Sequence, residues 1–184
     1  IMFIGYFATT MMSIPLSGLL PIDLGGLVKC LGYILIAVSA KKLAEYQSSF
    51  KTLIASSSLM ALISAFEAFI GISCFLSVNQ IVSIPFAEWM NDAAILDYVS
   101  FFAVIIFVAT LCVAIKQIAN DTGVNKIAIT ATRNFVFYCI LFAIQALSFM
   151  PFDWVKTYRP VFVAALLIIE LLCWILNLYM IQKI

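Results

Sequence analysis

The chain has 184 residues, of which 65% are hydrophobic and 10% charged, with no histidine and a net charge of +1. A soluble domain carries about a quarter charged residues to cover its surface, so the composition excludes a water-soluble fold and indicates an integral membrane protein. A near-neutral chain without a basic stripe excludes nucleic-acid binding, and the lack of histidine removes every His-based triad, general base and zinc site.

A helix needs about 20 residues to cross about 30 Å of hydrocarbon. The first apolar run, Ile1 to Ile14, is shorter; its fourteen residues would reach about 21 Å as a helix. Pro15, Gly18 and Pro21 interrupt it before Asp23. It reads as a short span, with a re-entrant segment or a span cut by the start of the chain as alternatives. The opening Ile1-Met2-Phe3 lacks an initiator methionine, which points to a trimmed tag or a numbering offset. No charged n-region with a cleavage site marks a signal peptide. Apolar runs between charges predict five further spans, at 25–41, 52–78, 98–116, 132–150 and 160–182. The expected fold is an all-α polytopic transmembrane helix bundle of about six spans, forming a single transmembrane domain over residues 1–184.

The charges set an orientation. Lys41, Lys42 and Lys51 flank the connection between the second and third spans, about ten residues long. Lys116, Lys126 and Arg133 flank the one between the fourth and fifth, about fifteen residues long. Lys183 lies at the C-terminus. The connection from Asn79 to Asp97 carries Glu88, Asp92 and Asp97 and no cation. Cytoplasmic loops are enriched in Lys and Arg, so both Lys-rich connections and the C-terminus are expected inside. Seven of the ten cations are then cytoplasmic, leaving Lys29, Lys156 and Arg159 elsewhere. With six spans the N-terminus is also inside. Trp89, Trp154 and Tyr158 fall in the outer connections, where amphipathic rings suit the headgroups. Ile81–Met90 is expected to lie along the outer surface or to form a loop. Pro151 and Pro160 bracket a tight outer turn. The localisation that follows is a multi-pass protein of the cell membrane, expected to be a bacterial plasma membrane.

The two cytoplasmic connections echo each other. At an offset of 75 residues, Val38 matches Val113, Lys41 matches Lys116, Ala44 matches Ala119, Lys51 matches Lys126 and Ile54 matches Ile129. Each describes a helix ending in a basic turn, a short polar loop, and a second helix starting near a lysine. A duplication, common in transporter folds, would produce this pattern. So would similar helix ends facing the same headgroups.

The segment GYILIAVSAKKLAEYQSSFK (Gly32 to Lys51) resembles the second-helix region of small uncharacterised multi-pass membrane proteins of Gram-positive bacteria. The preceding Leu19-Leu20-Pro21-Ile22-Asp23 turn and the AIKQIAND helix end are similar in kind. The resemblance covers about a third of the chain and implies a shared fold, with no established activity. On architecture alone, about 20 kDa with six spans is similar to the substrate-binding components of energy-coupling-factor vitamin transporters.

An ionisable side chain deep in a bilayer costs several kcal/mol unless neutralised, paired or hydrated. Two glutamates qualify. Glu67, in SAFEAFIG, and Glu170, in LIIELLCW, each lie about ten residues from the outer end of their span, about 15 Å deep and near the midplane. Ser64 and Gly71 share a helix face with Glu67, and Cys173, Trp174 and Asn177 share one with Glu170. The fifth span adds Asn134, with Tyr138 and Gln145 at +4 and +11 on one face. Together Glu67, Glu170, Ser64, Asn134, Tyr138, Gln145 and Asn177 are candidates to line a ligand- or ion-binding cavity. Two carboxylates close together cannot both ionise easily in low dielectric, so such a site would carry a proton, bind a cation or meet an amine-bearing solute. The same groups would serve equally as interhelical hydrogen bonds, which contribute about 0.6–2 kcal/mol and need no function.

Lys29 is expected to snorkel outward, or to partner Asp23 or Glu67. Small residues at Ser57, Ala61 and Ala65, and at Ser64 and Ala68, mark a packing face, within the monomer or in a homodimer. Cys30, Cys74, Cys112, Cys139 and Cys173 lie in apolar runs without a CxxC. They read as small buried hydrophobes rather than disulfides or redox thiols.

The expected function is solute transport or small-molecule binding through a polar midplane site. The alternative is an accessory, sensory or structural subunit of a larger membrane complex. The short connections leave no room for a signalling domain. Paired aspartates, nucleophile–base pairs and metal clusters are missing, so an enzyme is the poorest fit. No cofactor and no metal are expected. The expected partners are the lipid bilayer, a small solute, cation or proton, and a membrane-protein partner or a second copy.

Overall fold

The computed structural model describes residues 1–11, 25–78, 95–148 and 159–182. The turn residues Pro15 and Pro151, the Ile81–Met90 segment, the acidic Glu88 and Asp92, the aromatic Trp89, Trp154 and Tyr158, and Lys183 lie outside the described residues. Among those described, the regular structure is all helical. The helices are α1 (Met2–Met11), α2 (Gly25–Leu43), α3 (Ser49–Val78), α4 (Ile95–Asp121), α5 (Asn125–Ser148) and α6 (Arg159–Gln182).

Helices α3 to α6 are long and apolar enough to cross a membrane, over Ser49–Ser73, Tyr98–Asp121, Asn125–Leu147 and Ala164–Gln182. This is compatible with an integral membrane protein. Helix α2 has 19 residues but carries Lys29, Lys41 and Lys42. Helix α1 has 10 residues and rises about 15 Å.

The helices run further than the charges alone predict. Helix α5 begins at Asn125, so Lys126 and Arg133 lie within it. The connection expected to have about fifteen residues is the turn 122–124, and the other is the turn 44–48. Charged side chains are good helix formers when their heads reach water, so they end an apolar run without ending its helix. Backbone geometry ends α4. Gly123 has φ 72°, a left-handed conformation that glycine adopts without a Cβ penalty. Val124 N donates to Ala119 O at 2.8 Å and Gly123 N to Asn120 O at 3.1 Å, which together form a Schellman cap. Helix α2 ends with Lys41 and Lys42 in its last turn, against the negative end of the helix dipole.

The chain divides into two compact units, Ile1–Thr110 and Leu111–Ile184. In the first, α2 packs against both α1 and α3. Its glycines let the backbones approach. A Cβ on Gly32 would stand 2.7 Å from the Gly5 carbonyl oxygen and 2.7 Å from Thr9 Cγ2. One on Gly26 would stand 2.9 Å from the Ala68 backbone nitrogen. Ile36, Ala40, Phe50 and Leu53 are fully buried around the turn joining α2 to α3. The small-residue face of α3 is largely internal: Ser57, Ala61, Ser64 and Ala68 are buried, while Ala65 is exposed. In the second unit α5 packs against α6, around Ala131, Asn134, Cys173, Asn177 and Met180.

Along the helices, much of the exposed surface among the described residues is apolar. Leu62, Ile129 and Ile168 are each more than 60% exposed. Four cysteines are free thiols; Cys112 and Cys173 are buried as expected, but Cys30 is half-buried and Cys139 is exposed. A thiol facing an apolar surround loses nothing that burial would supply, so no pressure moves Cys139 inward.

The glycine contacts make a direct prediction. Gly32→Ala should separate α1 from α2 and cost about 1–3 kcal/mol by overpacking, read as a lower thermal transition in detergent micelles. Gly71, where an added Cβ meets nothing within 4 Å, provides the control: Gly71→Ala should be neutral or slightly stabilising.

Candidate functional site

Two polar clusters form among the described residues, one in each compact unit.

The first centres on Glu67. It is half-buried on α3, and the Ser100 hydroxyl of α4 donates to its Oε1. Ser100 is five residues after Ile95, the first residue of α4, so the pair lies about 8 Å along α4 from its start. By the measure of α4 the carboxyl sits nearer a helix end than the midplane position read from α3 alone. Tyr33 of α2 is within electrostatic range of both Glu67 and Tyr6. Tyr33 and Tyr6 are buried, and the Tyr33 ring packs edge-on against Phe107 at 5.1 Å between centroids. Ser64, buried three residues before Glu67, lies on the face of α3 that meets its neighbours. Three turns away, Ser56 and Thr110 join α3 to α4 through a 2.7 Å hydroxyl pair. No described residue forms an ion pair with Glu67.

The second cluster is an amide network between α5 and α6. Asn134 Nδ2 donates to Asn177 Oδ1. Asn177 Nδ2 donates to the Tyr138 hydroxyl at 2.9 Å. Both asparagines are completely buried. Asn134 Oδ1 accepts no hydrogen bond from a described residue, which leaves one buried acceptor for a water or a solute donor. The Tyr138 ring stacks on Phe142 with centroids 5.9 Å apart.

The structure joins Asn134 and Tyr138, which share a face of α5, to Asn177 of α6. It places Glu67 and Ser64 in the first unit. Gln145 is half-buried on α5, eleven residues after Asn134. Glu170 is exposed on α6, within electrostatic range of the buried Cys173. Lys29 is half-buried on α2. Sequence reasoning missed Ser100, Tyr33, Ser56 and Thr110. Serine and threonine are frequent here, and many of them hydrogen-bond to their own helix. Ser39, Ser57, Thr130 and Thr132 all bond to the carbonyl four residues back. No local signal separates Ser100 from these.

The arrangement offers a hydroxyl-bound carboxyl at Glu67 and neutral hydrogen bonding among Asn134, Asn177 and Tyr138. Among the described residues no group of three or more Cys, Asp or Glu side chains could hold a metal ion. Comparison with protein-family models, with characterised proteins and with solved structures finds no match.

Removing the central amide should expose the worth of the network. Asn177→Ala deprives Asn134 Nδ2 of its acceptor and Tyr138 of a donor. The expected loss is about 1–3 kcal/mol of stability, measured by thermal or denaturant unfolding in micelles. A loss below about 0.5 kcal/mol would assign the network no stabilising role.

Proposed function

We propose that the chain is a six-span membrane protein, with both termini in the cytoplasm, that binds a proton or a small cationic solute through Glu67. One observation carries the reading: a half-buried carboxyl on a membrane-length helix has a hydroxyl partner but no cation among the described residues. A carboxyl held by a hydroxyl, with no described cation paired to it, offers a place for the positive charge of a bound solute or proton. Ser100 fixes the carboxyl in place. Transport follows if occupancy of Glu67 alternates between the two sides of the membrane.

The amide network favours a second reading for the other unit. Asn134, Asn177 and Tyr138 hydrogen-bond in a chain between α5 and α6, as side chains do that hold a helix pair together. That part of the chain then acts as scaffold, or as a subunit of a larger membrane complex.

Reconstituted vesicles test the first reading. With the wild-type chain, a proton gradient should drive uptake of a lipophilic cation such as tetraphenylphosphonium. Glu67→Gln keeps the size and the hydrogen bond to Ser100 but removes the charge. It should cut uptake at least about tenfold, since a pairing worth about 1.4 kcal/mol already changes binding by that factor. It should leave the thermal transition within a few degrees of wild type. Equal uptake by both proteins would refute the role of Glu67.

A further inference from the structure

We infer that the exterior of α5 carries a binding site for the headgroup of an anionic phospholipid, built from Lys126 and Arg133. The inference rests on α5 crossing the membrane and is independent of Glu67.

Arg133 is exposed eight residues into a helix whose candidate span begins at Asn125. Its surroundings on that face are apolar. Ile129 is 68% exposed, Val136 51% and Ile140 46%. Positions 126, 129, 133, 136 and 140 recur at steps of three and four and so form one stripe. The opposite stripe, Ala131, Asn134, Tyr138 and Leu141, is the one packed inside the protein. Arg133 thus emerges on the outer face of the helix, about 12 Å along the axis from Asn125. Neither Lys126 nor Arg133 forms a side-chain hydrogen bond or ion pair with another described residue.

A guanidinium cannot stay solvated by hydrocarbon. Its charge costs at least about 2.5 kcal/mol at the centre of a membrane helix, and the cost falls as the side chain snorkels to the interface. Helix geometry sets the direction. Side chains tilt toward the helix N-terminus, and for Arg133 that is toward Lys126 and the turn 122–124. The guanidinium therefore rises toward the headgroup layer on the same stripe as Lys126. Seven residues separate the two, which is two turns and about 10.5 Å of axis. That is the scale of one lipid headgroup with its glycerol. Arginine pairs with phosphate through two parallel N–H donors, and lysine adds a mobile point charge above it. Ile129 lies between them, placed to touch the glycerol end of an acyl chain. Two cations and no carboxylate on the stripe favour a headgroup with net negative charge over a zwitterionic one, whose own ammonium would meet Lys126. Each basic side chain near an anionic surface contributes enough to change occupancy about fivefold.

The test uses the full chain purified in mixed micelles containing equal phosphatidylglycerol and phosphatidylcholine, with retained lipids counted by native mass spectrometry. Wild type should retain phosphatidylglycerol in clear excess. Lys126→Gln and Arg133→Gln should each lower that excess about fivefold, and the double variant should bring it close to parity. Lys42→Gln, at the end of α2, should leave the excess unchanged. Equal retention of both lipids by wild type would overturn the inference. So would an equal loss in Lys42→Gln, which would show a diffuse charge effect. Thermal transitions in phosphatidylcholine micelles identify any variant that fails to fold, and Arg133→Lys then replaces Arg133→Gln, with a smaller loss expected. Carbonate washing of membranes separately tests insertion: release of the chain would remove the membrane reading itself, and retention with equal lipid counts would remove only this site.

Discussion

In hydrocarbon no water stands ready to replace a lost hydrogen bond, so each polar group must find its partner within the protein. That constraint explains where the polar residues of this chain go. Ser39, Ser57, Thr130 and Thr132 turn back on the carbonyls of their own helices. The amide side chains, which have more donors and acceptors than one helix can satisfy, pair between α5 and α6. The outward stripes are left to Leu62, Ile129 and Ile168. On α5 the buried stripe carries Asn134 and Tyr138, while the exposed one combines Ile129, Val136 and Ile140 with Lys126 and Arg133. Neutral polar groups turn inward to find partners, aliphatic ones face outward because in lipid they need none, and the two cations have stems long enough to reach toward the headgroups.

Close backbone approach follows from the same constraint. With no hydrophobic driving force between helices, attraction depends on van der Waals contact over short distances. Gly5 and Gly32 remove the side chains that would hold α1 and α2 apart, and Gly26 does the same where α2 meets Ala68. The serines and alanines on the inner face of α3 continue this pattern.

The long apolar helices were readable in advance because a run of uncharged residues is itself the physical requirement for spanning. Their ends were less so. Charge marks where a chain reaches water, but a helix can continue there, as α5 does from Asn125 through Lys126. The true stop, Gly123, was present in the sequence as a Thr-Gly pair after a polar helix end. The shared face of Asn134 and Tyr138 was legible from their i and i+4 spacing; that Asn177, 43 residues beyond Asn134, meets them depends on how α5 and α6 pack. Ser100 was not legible. Its bond to Glu67 depends on how α3 and α4 meet, and that register is set by packing rather than by any local pattern.

The two clusters differ in what they ask of their partners. The amides of Asn134 and Asn177 carry no charge, and with the Tyr138 hydroxyl they fix how α5 and α6 meet. At Glu67 the partner is also uncharged: a hydroxyl, which is at once a donor and an acceptor. Arginine or lysine in that position would lock the carboxylate into a structural ion pair, and an apolar residue would leave it without a hydrogen bond. Serine instead ties α3 to α4 through the carboxyl without placing a fixed counter-charge beside it.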